Sequence, residues 1–529
     1  MYIFLSEGGI MLNTTKTIKT AGFMIIATLL SKVAGMGRDV LFASIYGTGG
    51  EAAAFLTASR IPLLFFDITL GSAIASSFIP VFNEYLENND RKAAVSYANS
   101  FITVILLLTA FLCTAGLLFA RPLAGWIGSG LPASQKELAA QLVVILFPTM
   151  IFTALAYALT GILQSLGEFN VPAAISLVSN VLMMVYLFFV RDRLGIHGVA
   201  VAMLISWGFQ VLVQLPSLRK KKFSYRPMLH IKSSGMKKTL ALALPILISS
   251  WVQPINSTVN IYLASFLNEG QAVAALDYAN KLYIIFVGVI TYAVSNLIFP
   301  SLSRLAAANQ KEELAQVVIR AVKIVLAVML PIMALFLLLR VPIVRFVYER
   351  GEFGADSTAL TASALLFYSL GMVGYAATEI LNKAFYALKD GKTPMYVAMG
   401  GIGLNILLSF LFVRGLHSGL WGLALAASIA ANLIGLALLL KLNKTLHMIT
   451  LHDGINLLKL LVSALLMGVC VYAAAHCFTF ADNFAGKLLM LFVPAIIGLL
   501  VYCLVLFVLR TDEAKLLTSL AKQKERGQN

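Results

Sequence analysis

Charged residues are scarce in this chain. Only 12% of its 529 residues are charged, while 60% are hydrophobic and the mean hydropathy is +0.88. Soluble domains carry about 25% charged residues, so this composition excludes an ordinary soluble domain. The sequence predicts an all-α polytopic membrane protein, because apolar stretches of about 20 residues recur along it.

Sequence signals of catalysis are also missing. The chain has no Walker loop, no His-Glu-x-x-His pair and no Gly-x-Ser-x-Gly turn. Its six histidines are scattered, and its four cysteines show no metal-ligand or redox spacing. We therefore expect a transporter rather than an enzyme, with no bound cofactor. Without an ATP site, the work of transport must come from an ion gradient or the membrane potential.

The apolar stretches predict about 14 membrane-spanning helices, and several are long enough to tilt. The first contains Lys32 and Arg38 and is followed by more apolar stretches rather than a cleavage site. We therefore expect it to be retained as the insertion signal. The approximate bounds are 20–46, 52–82, 94–119, 137–163, 172–190, 197–215, 239–266, 274–303, 318–340, 358–388, 394–413, 419–440, 457–476 and 488–509.

Basic residues concentrate in alternate loops, and this pattern predicts that both termini are cytoplasmic. The formal charge of +16 therefore reflects membrane topology and does not indicate nucleic-acid binding. The longest basic connection, residues 217–238, separates two halves of the chain. Two interpretations of it stay open: a solvated topology determinant, or attraction to anionic lipid head groups or an acidic partner.

An internal repeat with an offset of roughly 220 residues supports two halves. Leu166 to Pro172 resembles Leu388 to Pro394, and Gly198 to Ala202 resembles Gly422 to Ala426. Six helices in each copy give the copies the same orientation, which is typical of alternating-access transporters. The predicted organisation is an N-terminal lobe at 1–216, a linker at 217–238, a C-terminal lobe at 239–440, and two extra helices with a basic tail at 441–529.

Charges inside the apolar stretches are the candidate substrate site. Each would cost about 2.5–3.5 kcal/mol at the centre of a lipid-facing helix, so we expect them to face protein or water. Bases dominate, and a cavity lined by them suits an anion such as a phosphate group. Snorkelling to the interface and structural ion pairing are the alternatives. The residues are Lys32, Arg38, Asp39 and Arg60 in the first lobe and Lys281 in the second.

A weaker pattern suggests an ion site or gate. The seventh predicted span contains Gln253, Pro254 and Asn256, where proline interrupts backbone hydrogen bonding. With Glu379 and Asn382 of the tenth span, these side chains could supply oxygen ligands for sodium or a proton-coupling group. Hydrogen bonding between helices is the simpler interpretation.

Six short motifs stand out along the chain. They are Ser31-Lys32-x-x-Gly35-x-x-Arg38-Asp39, Arg60-Ile61-Pro62, Phe78-Ile79-Pro80, Tyr278-Ala279-Asn280-Lys281-Leu282, Tyr348-Glu349-Arg350-Gly351-Glu352-Phe353 and Lys392-Thr393-Pro394. Together they resemble the MurJ (MviN) family of lipid II flippases, within the superfamily that includes multidrug and polysaccharide exporters. The resemblance covers nearly the whole chain.

The resemblance implies 14 helices in two lobes around a cationic cavity for the diphosphate-sugar head group of a polyprenyl-linked muropeptide. It also implies a bacterial inner-membrane location, with membrane lipids and cell-wall synthesis proteins as further partners. Lys32, Arg38 and Lys281 occupy positions of required cavity arginines in the family, and Asp39 follows as in its Arg-Asp pair. This chain departs from the pattern at Ala53, where better-known members carry an acid, and at Phe66, where they carry an arginine.

Two rival functions are considered with the flippase. An exporter of another lipid-linked oligosaccharide, or of drugs, would share the architecture, although a drug exporter would favour an acidic cavity. A membrane glycosyltransferase or polymerase would need a catalytic carboxylate and large outer loops for sugar binding. The predicted outer loops here are short.

Overall fold

The computed structural model describes residues 14–71, 74–478 and 483–515. Within these ranges the chain is helical and contains no β-strand, so the predicted all-α class is confirmed. Short π-helical turns occur at Ile74–Phe78 and Leu411–Gly415, and one 3₁₀ turn occurs at Asn268–Gly270. The first nine α-helices are α1 Thr14–Tyr46, α2 Gly50–Thr69, α3 Ile79–Glu87, α4 Arg91–Leu118, α5 Ala120–Ile127, α6 Ala133–Leu146, α7 Thr149–Ser165, α8 Asn170–Phe189 and α9 Arg191–Lys220.

The second part of the chain contains eleven further α-helices among the described residues. They are α10 Ser234–Ser250, α11 Val252–Ser265, α12 Gln271–Ala307, α13 Lys311–Leu338, α14 Arg340–Tyr348, α15 Ala355–Ser369, α16 Met372–Ala387, α17 Lys392–Phe410, α18 Leu420–Leu446, α19 Leu451–Cys477 and α20 Phe484–Val508.

Polar residues fix where several helices begin. Asp90 caps α4 by accepting a hydrogen bond from the Ala93 amide at 2.9 Å, and Asn483 caps α20 through the Gly486 amide at 2.7 Å. Thr450 and Asp453 form a reciprocal capping box at the start of α19. These side chains satisfy amide groups that have no partner in the first turn of a helix.

Membrane-spanning helices account for most of the chain. Among the described residues, 11 helices are long and apolar enough to cross a membrane, or up to 12 if α15 and α16, bent by 47°, form one span. These 12 coincide with predicted spans. The other two predicted spans are 20–46, where α1 carries intramembrane charges, and 239–266, which is broken between α10 and α11 near Trp251. The total of 14 therefore stays a prediction.

Contacts divide the described chain into two compact units, Met1–Ala43 with Gly50–Thr258, and Ser44–Gly49 with Val259–Asn529. The last turn of α1 and the residues after it thus group with the second unit. The lobe boundaries drawn from the repeat stay a prediction.

Aromatic side chains fill the core of each unit. In the first unit, Phe78 stacks on Phe101 with ring centroids 4.4 Å apart and on Tyr97 at 5.4 Å. In the second, Tyr278 contacts Tyr348 at 5.1 Å and Phe353 at 5.6 Å. These rings are buried, so they fix the helices that carry them.

The last two helices are fastened to the rest of the second unit. Lys323 of α13 forms ion pairs with Asp453 of α19 and, at 3.0 Å, with Asp512 after α20. The Tyr502 hydroxyl of α20 donates to the Ala327 carbonyl at 2.8 Å. Burial raises the pKa of Asp512, but hydrogen bonds from Lys323 and His452 outweigh it and hold the pKa below its usual value.

Candidate functional site

Arg38 is held by two side chains of the first unit. Its Nε and Nη2 atoms donate to Oδ1 of Asp39 at 3.1 and 2.8 Å, and its Nη1 donates to Oδ1 of Asn180 at 3.1 Å. Asn180 in turn donates through Nδ2 to the Ser31 carbonyl at 3.0 Å. The structure therefore brings Arg38 and Asp39 together and adds Asn180 of α8, which fixes the guanidinium against α1.

A glycine permits this arrangement. A Cβ atom at Gly35 would lie 3.3 Å from Nδ2 of Asn180, tighter than an ordinary contact. Gly35 therefore lets α8 approach α1 closely enough for Asn180 to reach both Arg38 and the Ser31 carbonyl. Lys32, one turn from Gly35 on the same helix, is exposed.

Arg60 meets the broken part of the seventh predicted span. Its Nη2 donates to the Pro254 carbonyl at 3.3 Å, and the Thr258 hydroxyl donates to the same carbonyl at 2.9 Å. Nearby, the Trp251 indole donates to the Ile68 carbonyl at 2.7 Å. Pro254, where backbone hydrogen bonding was expected to be interrupted, thus lies in the first turn of α11, next to the break at Trp251, and α2 supplies polar partners there.

The two departures from the family pattern lie in apolar packing. Ala53 is fully buried in α2, and Phe66 is buried in the core of the first unit with its ring 5.7 Å from that of Tyr157. Neither position carries a charge in this chain. Arg60, on the same helix as both, is the arginine that α2 provides.

Lys281 has an acidic neighbour that sequence reasoning missed. Its Nζ lies 2.8 Å from Oδ2 of Asp277, one turn earlier on α12, and both side chains are about one third exposed. The i, i+4 spacing was the available signal, because residues at that spacing share a helix face. Lys281 is therefore a cation with a carboxylate beside it in the second unit.

The residues suggested as an ion site are distributed over both units. Gln253 is exposed, and Asn256 is buried with no hydrogen-bond partner for its Oδ1 among the described residues. Glu379 and Asn382 are half-buried on α16, and Lys383 lies over the Phe299 ring at 5.3 Å from its centroid. Within the described ranges, no group of three or more His, Cys, Asp or Glu side chains is placed to hold a metal ion.

The carboxylate of Glu349, in the segment between α14 and α15, is the centre of a network of hydrogen bonds and ion pairs. It accepts from Arg345 Nε at 2.8 Å, Thr358 Oγ1 at 2.9 Å and Lys487 Nζ at 3.3 Å. Burial raises the pKa of Glu349, but these three donors outweigh it and leave the pKa below its ordinary value. Glu349 therefore joins α14, α15 and α20 as a carboxylate.

A family model, a sequence relative and a solved structure all point to one family. The model of the family described as "Lipid II flippase MurJ" matches residues 42–494. The probable lipid II flippase MurJ of Buchnera aphidicola subsp. Schizaphis graminum is 30% identical over 463 residues, covering 86% of this chain and 88% of that protein. A solved structure of lipid II flippase MurJ in an inward closed conformation has a TM-score of 0.77 at 27% identity, covering 91% of this chain and 97% of its own.

A more distant structure shares the fold alone. An inward-facing multidrug resistance MATE family transporter of the MOP superfamily gives a TM-score of 0.68 at 17% identity, covering 81% of this chain and 98% of its own. The family match spans most of the described helices, including those that carry Asn180 and Lys281. This chain belongs to the MurJ family of lipid II flippases.

Proposed function

We propose that this chain moves lipid II, the polyprenyl-diphosphate-linked muropeptide, from the cytoplasmic to the outer leaflet of the bacterial inner membrane by alternating access. The observation that carries the proposal is the half-buried Arg38, fixed by Asp39 and Asn180 within a membrane chain of this family. A fixed guanidinium in such a place is suited to a diphosphate, because its paired N–H donors match phosphate oxygens.

Each charged residue has a proposed role. Arg38, Arg60, Lys32 and Lys281 bind the diphosphate, and Asp39 orients Arg38 or releases it as the transporter changes state. Lysine at two of these positions keeps the charge and gives up the bidentate geometry of arginine. Asp277 competes with the substrate for Lys281 and so keeps that lysine placed when no substrate is bound.

The test is leaflet translocation by the purified protein in vesicles. Fluorescent lipid II in the inner leaflet should become accessible to an external reagent only when the chain is present, with no glycosidic product formed. Product formation without translocation would favour the membrane glycosyltransferase instead. An Arg38→Gln variant, reconstituted at the same density, is the matched control for passive leakage.

A second lipid-linked substrate is the runner-up, favoured by the uncharged Ala53 and Phe66. The same vesicle assay with an undecaprenyl-linked polysaccharide unit distinguishes the two. Faster movement of that unit than of lipid II would reassign the chain to polysaccharide export. In cells, both termini are proposed to be cytoplasmic, and cell-wall synthesis proteins are the proposed protein partners.

The membrane potential is the proposed energy source. A diphosphate moving outward leaves a negative interior, and each elementary charge contributes about 2.3 kcal/mol per 100 mV. Return of the empty cationic site is drawn inward by the same potential. Collapsing the potential with valinomycin and potassium, while a pH or sodium gradient is maintained, should stop flipping.

A secondary sodium or proton site is proposed at Glu379 or Asn382, which are half-buried on α16. Glu379→Gln should then alter the dependence on sodium or pH and leave flipping active. Unchanged flipping without a potential, together with loss of activity in Glu379→Gln, would make ion coupling the driving step.

A further inference from the structure

The basic connection after α9 is held in a fixed position along α4 of the same unit. The Met228 amide donates to Thr103 Oγ1 at 3.2 Å, and the His230 amide donates to Ser100 Oγ at 3.4 Å. The Tyr225 hydroxyl lies 3.0 Å from Thr103 Oγ1. This segment is therefore an ordered surface, not a loose tether between two halves.

Both ends of the segment are fastened as well. Arg91 donates to the Lys221 carbonyl at 2.5 Å, and the Phe223 ring is buried. At the other end, Lys238 pairs with Glu84, and the Tyr97 hydroxyl is hydrogen-bonded to Thr239. The side chains between these anchors are presented in a defined arrangement.

The position along α4 gives the depth of the segment in the membrane. The first ten residues of α4, 91–100, are mixed polar, and the apolar stretch begins at Phe101. With a rise of about 1.5 Å per residue, Ser100 and Thr103 lie about 13 and 18 Å from the start of the helix. Tyr225, beside Thr103, is thus level with the edge of the apolar stretch, and residues nearer the ends of the segment lie at head-group level.

The exposed face of this segment combines positive charge with apolar surface. We define the linker face as Lys222, Tyr225, Arg226, Leu229, Ile231 and Lys232. All six are exposed, with Leu229 at 53% and Ile231 at 54%. No acidic residue occurs between Arg219 and Lys238. Exposed leucine and isoleucine gain nothing in a solvated loop, whereas a membrane interface accommodates apolar side chains together with basic ones.

We propose that the linker face binds the head groups of anionic phospholipids, with Leu229 and Ile231 entering the boundary of the acyl chains. The bases supply the attraction to the lipid phosphates, and Tyr225 takes the interfacial position typical of tyrosine. An acidic protein partner fits less well, because the apolar residues lie at the edge of the apolar stretch of α4. This inference does not depend on which substrate is transported.

The experiment measures which phospholipids lie next to the linker face. A nitrobenzoxadiazole fluorophore is attached to Leu229→Cys in a chain whose four native cysteines are replaced by serine, reconstituted in equimolar phosphatidylcholine and phosphatidylglycerol. Quenching by spin-labelled phosphatidylglycerol is compared with quenching by spin-labelled phosphatidylcholine. One basic residue near an anionic surface contributes about a fivefold preference, so quenching should favour phosphatidylglycerol severalfold.

Matched variants separate the linker face from general membrane charge. Replacing Lys222, Arg226 and Lys232 by glutamine should abolish the preference at position 229. Replacing three exposed lysines of the second unit, Lys389, Lys392 and Lys444, by glutamine should leave it unchanged. A fluorophore at Asn309→Cys, in the exposed turn between α12 and α13, should show no preference.

Two results would overturn the proposal. One is equal quenching by both lipids at position 229. The other is strong quenching by aqueous iodide with little quenching by lipid, as expected for a solvated loop or a protein-binding surface. If the label at 229 disturbs folding, Ile231→Cys carries the same measurement, and the same two results at position 231 would overturn the proposal.

Discussion

The Tyr278 hydroxyl donates a hydrogen bond to the main-chain carbonyl of Gly47 across 3.0 Å. Beside it, the Glu352 amide donates to the Ser44 carbonyl at 2.9 Å, and the Thr48 and Ser357 hydroxyls lie 2.8 Å apart. All of these residues belong to the second unit. The end of α1 is therefore clasped by α12 and the turn before α15, which we call the α1 clasp.

The first prediction concerns a glycine of the α1 clasp. Gly351 has a φ of +57°, and a Cβ atom there would lie 2.1 Å from the Ser44 carbonyl oxygen. A residue with a Cβ atom in the left-handed conformation costs about 1–2 kcal/mol. Gly351→Ala should lower the free energy of unfolding by more than this, because main-chain atoms must also move to make room for the Cβ atom. Thermal unfolding in detergent measures it.

Gly354→Ala is the control for Gly351→Ala. It lies in the same segment, has no positive φ, and has no atom within 4 Å of its Cβ position. Its melting temperature should stay close to that of the parent chain. Equal losses in the two variants would show that the clasp does not depend on close approach of Gly351 to Ser44.

The second prediction concerns Lys281. Lys281→Ala should abolish complementation of a flippase-depleted strain, whereas Lys281→Arg should retain it, because a positive charge is needed for the diphosphate. Loss of Lys281 also leaves Asp277 without the partner seen at 2.8 Å. Immunoblots must show equal protein in the membrane. Full complementation by Lys281→Ala would remove this residue from the site.

The third prediction assigns Asn180 a positioning role. Hydrogen bonds to charged groups contribute about 1.5–3 kcal/mol, so losing the one from Arg38 should slow lipid II translocation at least tenfold in Asn180→Ala. Asn180→Asp keeps an acceptor for Arg38 and should retain more activity. Ser176→Ala, at an exposed position of the same helix, should be neutral. Parental activity in Asn180→Ala would refute the role.

The fourth prediction follows from the lowered pKa of Glu349. A carboxylate with a lowered folded-state pKa stabilises the fold above its unfolded pKa of about 4.3, and this stabilisation disappears as pH falls through the folded-state value. Glu349→Gln should therefore have a lower melting temperature than the parent at pH 7, and the difference between the two melting temperatures should narrow below about pH 4. Glu352→Gln, at an exposed neighbouring position, should show little change at either pH. A difference in melting temperature that does not change with pH would show that Glu349 stabilises the fold through packing and not through its charge.

The fifth prediction is topological. Because lysine and arginine concentrate in alternate loops, Leu229 should be cytoplasmic and Ala133 external. A membrane-impermeant maleimide added to intact cells should label Ala133→Cys and spare Ser224→Cys, an exposed position of the same connection as Leu229, until the membrane is opened. Labelling of both from the same side would contradict the two-lobe arrangement.

The sequence predicted features that depend on local spacing. Apolar length predicted the 11 candidate spans among the described residues, or 12 if α15 and α16 form one, and Pro254 indicated where backbone hydrogen bonding is interrupted. The pairing of Lys281 with Asp277 was within reach of the same reasoning. Asn180, by contrast, is 142 residues from Arg38, and nothing local on α8 distinguishes it from other polar residues of a span. The Pro254 carbonyl beside Arg60 likewise depends on how α2 and α11 pack, which a single sequence does not encode locally.

The ion pairs that fasten α19 and α20 have a consequence for shortened versions of the chain. Lys323, with only 17% of its side chain exposed, has its carboxylate partners on segments that follow α18, and Lys487 is one of the cations at Glu349. A truncation after Leu446 would remove both carboxylates that pair with Lys323, one of the cations at Glu349, and the helices that pack against α13 and α14. The final helices are thus structural partners of the helices before them, and a twelve-helix transporter cut from this sequence would leave those surfaces of α13 and α14 without the side chains that cover them.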